Sequence, residues 1–235
     1  MSTPQPPAQP SRGSRVKAED IYRWGPVWSR RVGQFLDHVW WNTKVYGAEN
    51  VQRTGPVIVA SNHTGVVDGP LLHGAIPRGS HFIIKQEFWD SPLGFLMTLA
   101  GQIPVDRRNG RASLAVAQQM LHEGRVVGIF PEGNRGTGNV QSTRAGVAWL
   151  AVHGNAPVVP VACLGTRPAG KKVGYVPPPR SRLHIVFGKP IHIDTEKREG
   201  GNREVMARAM EQIHQGLAAH VEDAVRQTGI PLPTH

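Results

Sequence analysis

Short apolar runs alternate with stretches of helical periodicity from residue 56 onward, and this alternation limits the possible folds most. Repeated strand and helix segments build parallel sheets, whose right-handed crossovers place helices on the two faces. The predicted strands are Val57 to Ala60, His81 to Ile84, Ile103 to Asp106, Val126 to Phe130, Val158 to Cys163 and Leu183 to Phe187. The predicted helices are Gly69 to Ala75, Pro92 to Ala100, Arg111 to Glu123, Thr143 to His153 and Asn202 to Gln227. We therefore expect an α/β fold with a mostly parallel central sheet flanked by helices.

Composition is consistent with one main domain and an added element. The chain has 235 residues, 39% of them hydrophobic, which is enough for one sizeable core. A single cysteine, Cys163, excludes an internal disulfide and a cysteine metal cluster, so a reducing compartment is the simpler expectation. We expect a disordered lead-in at residues 1–20, an amphipathic helical element at 21–46, the α/β domain at 47–228 and a tail at 229–235.

The amino-terminal element, WGPVWSRRVGQFLDHVWW at residues 24–41, predicts an amphipathic and partly basic helix with four tryptophans. Indole rings favour the headgroup zone of a bilayer, which predicts a membrane-association element. A helix packed on its own domain is an equally good interpretation. Its apolar positions are 28, 32, 35, 36 and 39, and its polar side is predicted to hold Arg30, Arg31, Gln34 and Asp37.

The formal net charge of +10 requires an anionic partner. Nucleic acid and anionic lipid both qualify on charge alone. Outside the amino-terminal helix, however, aromatic side chains for base stacking are scarce, so no nucleic acid is expected. An anionic membrane surface is the favoured partner. No run of about 18 apolar residues occurs, so no membrane-spanning helix is predicted. The protein is therefore expected to be peripheral or monotopic, on the cytoplasmic face of the membrane.

The stretch ASNHTGVVDGP, residues 60–70, suggests a strand, a tight loop and a helix start. Five residues separate His63 from Asp68, so neither a helix nor a strand would bring the two side chains together, and a bend must do so. An imidazole oriented by a carboxylate is a suitable general base for a hydroxyl. Taken alone, the pair favours a structural hydrogen bond over a catalytic one.

Three further motifs follow or lie in predicted strands. Ligands of parallel sheets bind near the carboxyl ends of the strands, so these positions predict one shared site. GQIPVDRR, residues 101–108, offers guanidinium groups that suit a phosphate; FPEGNR, residues 130–135, adds a carboxylate and an arginine; VVPVA, residues 158–162, lies within a strand. Surface arginines and a simple salt bridge would also explain the first two.

The ordered set NHTGVVD, GQIPVDRR, FPEGNR and VVPVA resembles the four motifs of the lysophosphatidic acid acyltransferase family of glycerolipid acyltransferases, over residues 57 to 165. The resemblance implies transfer of a fatty acyl group from acyl-CoA or acyl-ACP to the free hydroxyl of lysophosphatidic acid, a lysophospholipid acceptor, giving phosphatidic acid. No cofactor and no metal are implied beyond the thioester co-substrate. Glycerol-3-phosphate or another lyso-lipid is the alternative acceptor, and a non-catalytic basic nucleic-acid-binding domain is the alternative from a different class.

The resemblance also implies a role for each matching residue. His63 would be the general base and Asp68 its orienting partner. The remaining roles fall to Arg107, Arg108 and Arg135 as phosphate ligands, to Glu132 and Gly133 for the acceptor's glycerol, and to Pro160 on the acyl-donor side. Family members commonly continue the third motif with Thr-Arg-Ser, whereas this chain has Asn134, Arg135 and Gly136, which leaves the acceptor open.

GTRPAGKK, residues 165–172, nearly matches a phosphate-binding loop. Lys172 stands where a magnesium-binding hydroxyl is needed, and the following VGYVPPP cannot begin a helix. The segment is therefore predicted to be a solvated basic loop.

Overall fold

The computed structural model describes residues 16–106, 110–133, 135–140, 145–194 and 201–233. The strands are β1 (Asn42–Tyr46), β2 (Val57–Ser61), β3 (Ser80–Lys85), β4 (Ile103–Val105), β5 (Val126–Ile129), β6 (Val158–Leu164) and β7 (Arg182–Phe187). The helices are α1 (Gly25–Phe35), α2 (Asp68–Ala75), α3 (Gly94–Leu99), α4 (Gly110–His122), α5 (Ala145–His153) and α6 (Gly201–Thr228). All six predicted strands are confirmed, each to within about one residue.

The seven strands form one sheet in the order β1-β7-β6-β2-β5-β3-β4. Every neighbouring pair is parallel except β6 with β7. The expected mostly parallel sheet is confirmed. Its central strands are buried on both faces, as expected for a sheet covered by crossover helices.

Strand β2 shows how the two faces are covered. Ile58 and Ala60 pack into a cluster with α4 and α5, whereas Val57 and Val59 pack into a cluster with α2. Successive strand residues point to opposite faces, so the apolar run in β2 contributes to both cores. Helix α6 covers β6 and β7 on the first of these faces, through Leu217 and the residues around it.

Strand β1 was not predicted, and residues 42–46 were placed in the amino-terminal element rather than in the α/β domain. It pairs in parallel with β7 at the edge of the sheet. Its sequence, NTKVY, lacks a continuous apolar run because only Thr43 is buried. An edge strand with little buried surface leaves little hydrophobic pattern to detect.

Helix α1 ends in a π-helical segment, Leu36–Trp40, where Trp41 N donates to Leu36 O over 2.8 Å. The helix turns Gly33 toward α2, and a Cβ on Gly33 would lie 2.7 Å from the Gly74 Cα. The polar side predicted from periodicity is wrong for Asp37, which is fully buried beside Gly74.

Some apolar residues of the segment 24–41 are buried against the domain and others are exposed to solvent. Trp41 is buried, and its Nε1 donates to Pro177 O over 2.9 Å. Trp24, Val27, Val32, Phe35, Val39 and Trp40 are exposed. Within the described ranges, no helix has both the length and the apolarity to cross a bilayer. Membrane association of the segment therefore stays a prediction.

Candidate active site

The pairing of β2 with β5 places the first and third motifs side by side. Ala60 lies opposite Ile129 in this parallel pair. His63 follows Ala60 by three residues and Glu132 follows Ile129 by three residues, so both leave the same edge of the sheet at the same height. We call residues 62–68 the histidine loop and residues 130–138 the glutamate loop.

The histidine loop folds around the carboxylate of Asp68. Asp68 Oδ2 lies 2.9 Å from His63 Nδ1 and accepts the backbone N–H groups of Thr64 (2.7 Å) and Gly65 (2.8 Å). A carboxylate is only an acceptor, so the ring proton stands on Nδ1. The lone pair of Nε2 is then available, and no described residue hydrogen-bonds to it.

The glutamate loop holds the backbone of His63 from the other side. Glu132 Oε1 accepts the His63 backbone N–H over 3.1 Å, and Gly136 N donates to the His63 carbonyl over 2.9 Å. The Phe130 ring stacks on the imidazole with the centroids 4.1 Å apart. The position of the imidazole is therefore set by contacts to both its ring and its backbone.

Burial changes the ionisation of the neighbouring groups. Burial raises the pKa of Glu132, and the Asp68 charge adds to this, while the hydrogen bond from the His63 backbone opposes it. Burial lowers the pKa of Arg135. The Arg135 guanidinium lies over the Phe88 ring at 5.9 Å, and its buried Nε has no hydrogen-bond partner among the described residues.

Gly133 makes the turn that carries the chain from Phe130 to Arg135. Its φ is +70°, in the left-handed region that favours glycine, and its N donates to Phe130 O over 3.0 Å. The structure thus brings five of the expected site residues together at one sheet edge: His63, Asp68, Glu132, Gly133 and Arg135. Arg107 and Arg108 lie outside the described residues.

Pro160 lies elsewhere. It is buried within β6 opposite Ala60, before the strand reaches the edge that carries the histidine loop. It lines a separate cavity of about 440 Å³ together with Gly188, Lys189 and His220. Its role on the acyl-donor side stays a prediction.

Asn62 anchors the histidine loop to β6. Its Nδ2 donates to Cys163 O over 3.2 Å, and its Oδ1 accepts Cys163 N over 2.8 Å. Burial raises the pKa of the Cys163 thiol well above its usual range, in agreement with an inert cysteine rather than a nucleophile. In the described ranges, no three His, Cys, Asp or Glu side chains are placed to share a metal ion.

Four residues that contact this site were not predicted: Asn62 and Phe130, and two from the segment after β6, Thr166 and Arg167. Phe130 belongs to the third motif, but nothing in that motif indicates that its ring faces His63. The other contacts depend on strand neighbours more than 30 residues apart in the sequence, which local patterns do not reveal.

A solved structure supports the fold. The crystal structure of the 1-acyl-sn-glycerophosphate (LPA) acyltransferase PlsC from Thermotoga maritima superposes with a TM-score of 0.59, at 24% sequence identity, over 83% of this chain and 78% of that chain. At this identity, the likeness concerns the architecture of the chain.

Sequence relatives extend the comparison. The 1-acyl-sn-glycerol-3-phosphate acyltransferase of Bacillus subtilis is 33% identical over 63% of this chain and 73% of its own length. The enzyme of the same name from Cocos nucifera is 27% identical over 86% of this chain and 65% of its own length. Human 1-acyl-sn-glycerol-3-phosphate acyltransferase beta is 29% identical over 50% of this chain and 45% of its own length. The chain thus spans between about half and three quarters of these relatives.

The family model described as Acyltransferase matches residues 42–164 of the 235, a range that contains both loops and the strands that carry them. The chain belongs to the Acyltransferase family.

Proposed function

We propose that this chain transfers a fatty acyl group from a thioester to the free hydroxyl of lysophosphatidic acid, giving phosphatidic acid. The observation that carries the proposal is the oriented imidazole. His63 Nδ1 lies against a buried carboxylate, so Nε2 is a base at the carboxyl edge of the sheet. The relatives from Bacillus subtilis and Cocos nucifera are both named as 1-acyl-sn-glycerol-3-phosphate acyltransferases.

The proposed reaction is direct transfer. His63 Nε2 removes the proton of the acceptor hydroxyl as its oxygen attacks the thioester carbonyl. The tetrahedral intermediate then expels the thiolate, which takes a proton from the imidazolium, so an ester and a free thiol leave the site. A covalent acyl-enzyme is not needed, and Cys163 is buried away from the surface.

Arg135 belongs to the glutamate loop, and its Nε has no hydrogen-bond partner among the described residues. A guanidinium of this kind suits the phosphate of the acceptor. In the proposal, Arg135 binds the phosphate together with Arg107 and Arg108. Glu132 Oε2, to which no described residue hydrogen-bonds, receives the glycerol part of the acceptor.

The acyl donor is acyl-CoA or acyl carrier protein in this proposal, and the site faces the cytoplasmic surface of an anionic membrane. The exposed apolar residues of α1 and the following turn, Trp24, Val32, Phe35 and Val39, support the membrane part. Side chains of this kind, next to the exposed Arg31, suit an interfacial helix.

The decisive experiment is thioester consumption by the purified protein. Acyl-CoA and acyl-ACP would be offered with lysophosphatidic acid, glycerol-3-phosphate and a lyso-lipid with a larger headgroup, and products identified by mass. We expect phosphatidic acid from lysophosphatidic acid, and no product from the His63→Ala variant. Turnover of glycerol-3-phosphate alone would move the assignment to the alternative acceptor, and tight DNA binding without thioester cleavage would reject the enzyme.

A further inference from the structure

The beginning of the segment after β6 is buried, although its sequence predicts a solvated basic loop. Thr166 is 0% exposed and Arg167 is 6% exposed, whereas Lys171 and Lys172 farther along are exposed, as predicted. The prediction is therefore wrong for residues 166 and 167. Within this run of polar and basic residues, no sequence pattern distinguishes the two that are buried from the others.

Arg167 is buried without a carboxylate partner. Among the described residues, no ion pair includes it, and none of them accepts a hydrogen bond from its buried Nε. An arginine in such a place is unfavourable for stability, since an apolar side chain would fill the same space without loss of hydration. The function of the guanidinium is therefore inferred from the hydrogen bond that it makes within the described part of the chain.

That contact leads to the glutamate loop. Arg167 Nη2 donates to Gly136 O over 2.5 Å, and Gly136 N donates to His63 O over 2.9 Å. Gly136 is thus held on both sides, at its carbonyl by Arg167 and at its N–H by the His63 carbonyl. Arg135 directly precedes Gly136 in the chain, so a fixed Gly136 limits where the Arg135 backbone can lie.

Thr166 contacts the other loop. Its hydroxyl lies 2.9 Å from the Thr64 hydroxyl, and both groups are buried. A Cβ on Gly65 would lie 3.1 Å from Thr166 Oγ1, so the loop backbone also packs against this residue. Two consecutive residues therefore hold the two loops, one each.

We propose that Thr166 and Arg167 are positioning residues that clamp the histidine loop and the glutamate loop together, and that Arg167 sets the position of Arg135 for the acceptor's phosphate. This inference rests on the proposed function and adds two residues to it. Displacement of a binding group by about 1 Å costs up to about 10²-fold in rate, so a clamp of this kind has a measurable effect. The uncompensated charge of Arg167 also adds to the positive field that an anionic acceptor meets.

The test of Arg167 compares Arg167→Gln with Arg167→Lys, and with Lys171→Gln as the control for loss of an exposed cation in the same segment. We expect Arg167→Gln to raise the KM for lysophosphatidic acid about tenfold with kcat changed less than about threefold. Arg167→Lys, which keeps the charge and one donor, should recover part of the affinity. Lys171→Gln should match the parent. A fall in kcat at unchanged KM, or parent kinetics for Arg167→Gln, would contradict the clamp.

The same substitution in an Arg135→Ala background separates positioning from general loss of stability. If Arg167 acts through Arg135, Arg167→Gln adds little to the KM of Arg135→Ala, because the group that it positions is already gone. Additive effects of the two substitutions would show independent roles and overturn the inference.

Hydrogen exchange tests the clamp without turnover. Arg167→Gln should speed amide exchange in peptides that cover residues 130–140, and Thr166→Val should do so in peptides that cover residues 62–68, while Lys171→Gln changes neither. Unchanged exchange in both variants would reject the clamp even if the parent acylates lysophosphatidic acid. Faster exchange in the two variants, together with a parent protein that acylates no lyso-acceptor, would instead support the clamp and reject the proposed function.

Discussion

The His63 imidazole and the Phe130 ring are stacked, with centroids 4.1 Å apart and planes inclined by 20°. Phe130 is in turn 5.9 Å from the ring of Phe82 in β3. The base is therefore supported from the core as well as by Asp68. Replacement of Phe130 by Ala should lower kcat about tenfold by freeing the imidazole, and Phe130→Tyr, which keeps the ring, should stay near the parent. Initial rates of thioester consumption measure this; equal kcat for Ala and parent would show that the stack has no effect on the base.

Loss of the imidazole should abolish acyl transfer. A positioned base contributes about 10² to 10⁴ in rate, so His63→Ala should fall by at least that much while its thermal unfolding matches the parent. Asp68→Asn should retain more activity than His63→Ala, because an amide oxygen can still accept the N–H groups that meet Asp68 Oδ2. It should remain below the parent, because the neutral amide holds the ring and its protonated form less strongly than a carboxylate. Near-normal turnover by a folded His63→Ala protein would remove the base assignment.

Glu132 holds the backbone of His63, and two substitutions at this position test that contact. Its Oε1 accepts the His63 backbone N–H, which a glutamine oxygen can also do. We expect Glu132→Gln to keep most of the thermal stability and Glu132→Ala to lose on the order of 1–3 kcal/mol of unfolding free energy, because a partly buried donor is left unpaired. Chemical denaturation of the two variants measures the difference. Equal stability would mean that water replaces the carboxylate.

Asp37 should make stability depend on pH. Burial raises the pKa of this carboxyl to about 8, whereas in the unfolded chain it has its ordinary value near 3.8. Between these values the folded protein keeps a proton that the unfolded chain has released, so the free energy of unfolding falls as pH rises and levels off above pH 8.

Asp37→Asn removes this contribution, because an amide does not titrate. The variant should become more stable relative to the parent from about pH 4 to about pH 8, by a few kcal/mol at most. Melting temperatures across this range, with the parent as reference, give the result. A constant difference between the two proteins at every pH would show that Asp37 is not the titrating group.

The outer face of α1 should set the affinity for membranes. Val32, Phe35 and Val39 are 49%, 52% and 64% exposed, and serine at all three positions should weaken binding to vesicles of mixed zwitterionic and anionic phospholipid by at least about tenfold. Val173→Ser with Val176→Ser, also exposed but outside the segment, is the matched control. Sedimentation with vesicles measures the bound fraction, and equal losses in the two variants would reject a specific face.

Most of the fold followed from hydrophobic pattern. Strands buried on both faces, such as β2 and β6, leave continuous apolar runs, so their positions could be predicted. Strand β1 could not, because an edge strand with one buried residue carries almost no pattern. Asp37 shows the same limit in a helix. Periodicity places its acid on the outer, polar side, whereas in the structure the acid is buried and apolar residues such as Phe35 are exposed.

The site was predictable where it depends on strand order. Residues that follow the carboxyl ends of parallel strands were expected to meet, and the pairing of Ala60 with Ile129 brings His63 and Glu132 together in this way. The contacts of Thr166 and Arg167 depend on which side chains turn inward after β6, and a run of Gly, Thr, Arg and Lys has the same appearance whether buried or solvated.

Gly33 and Gly74 let the backbones of α1 and α2 touch, since a Cβ on either would overlap the other helix. The first residue of α2 is Asp68, so α1 packs directly on the helix that begins with the carboxylate bound to the imidazole. A membrane bound to the outer side of α1, as proposed, would therefore meet the catalytic edge of the sheet at an angle that this helix pair determines.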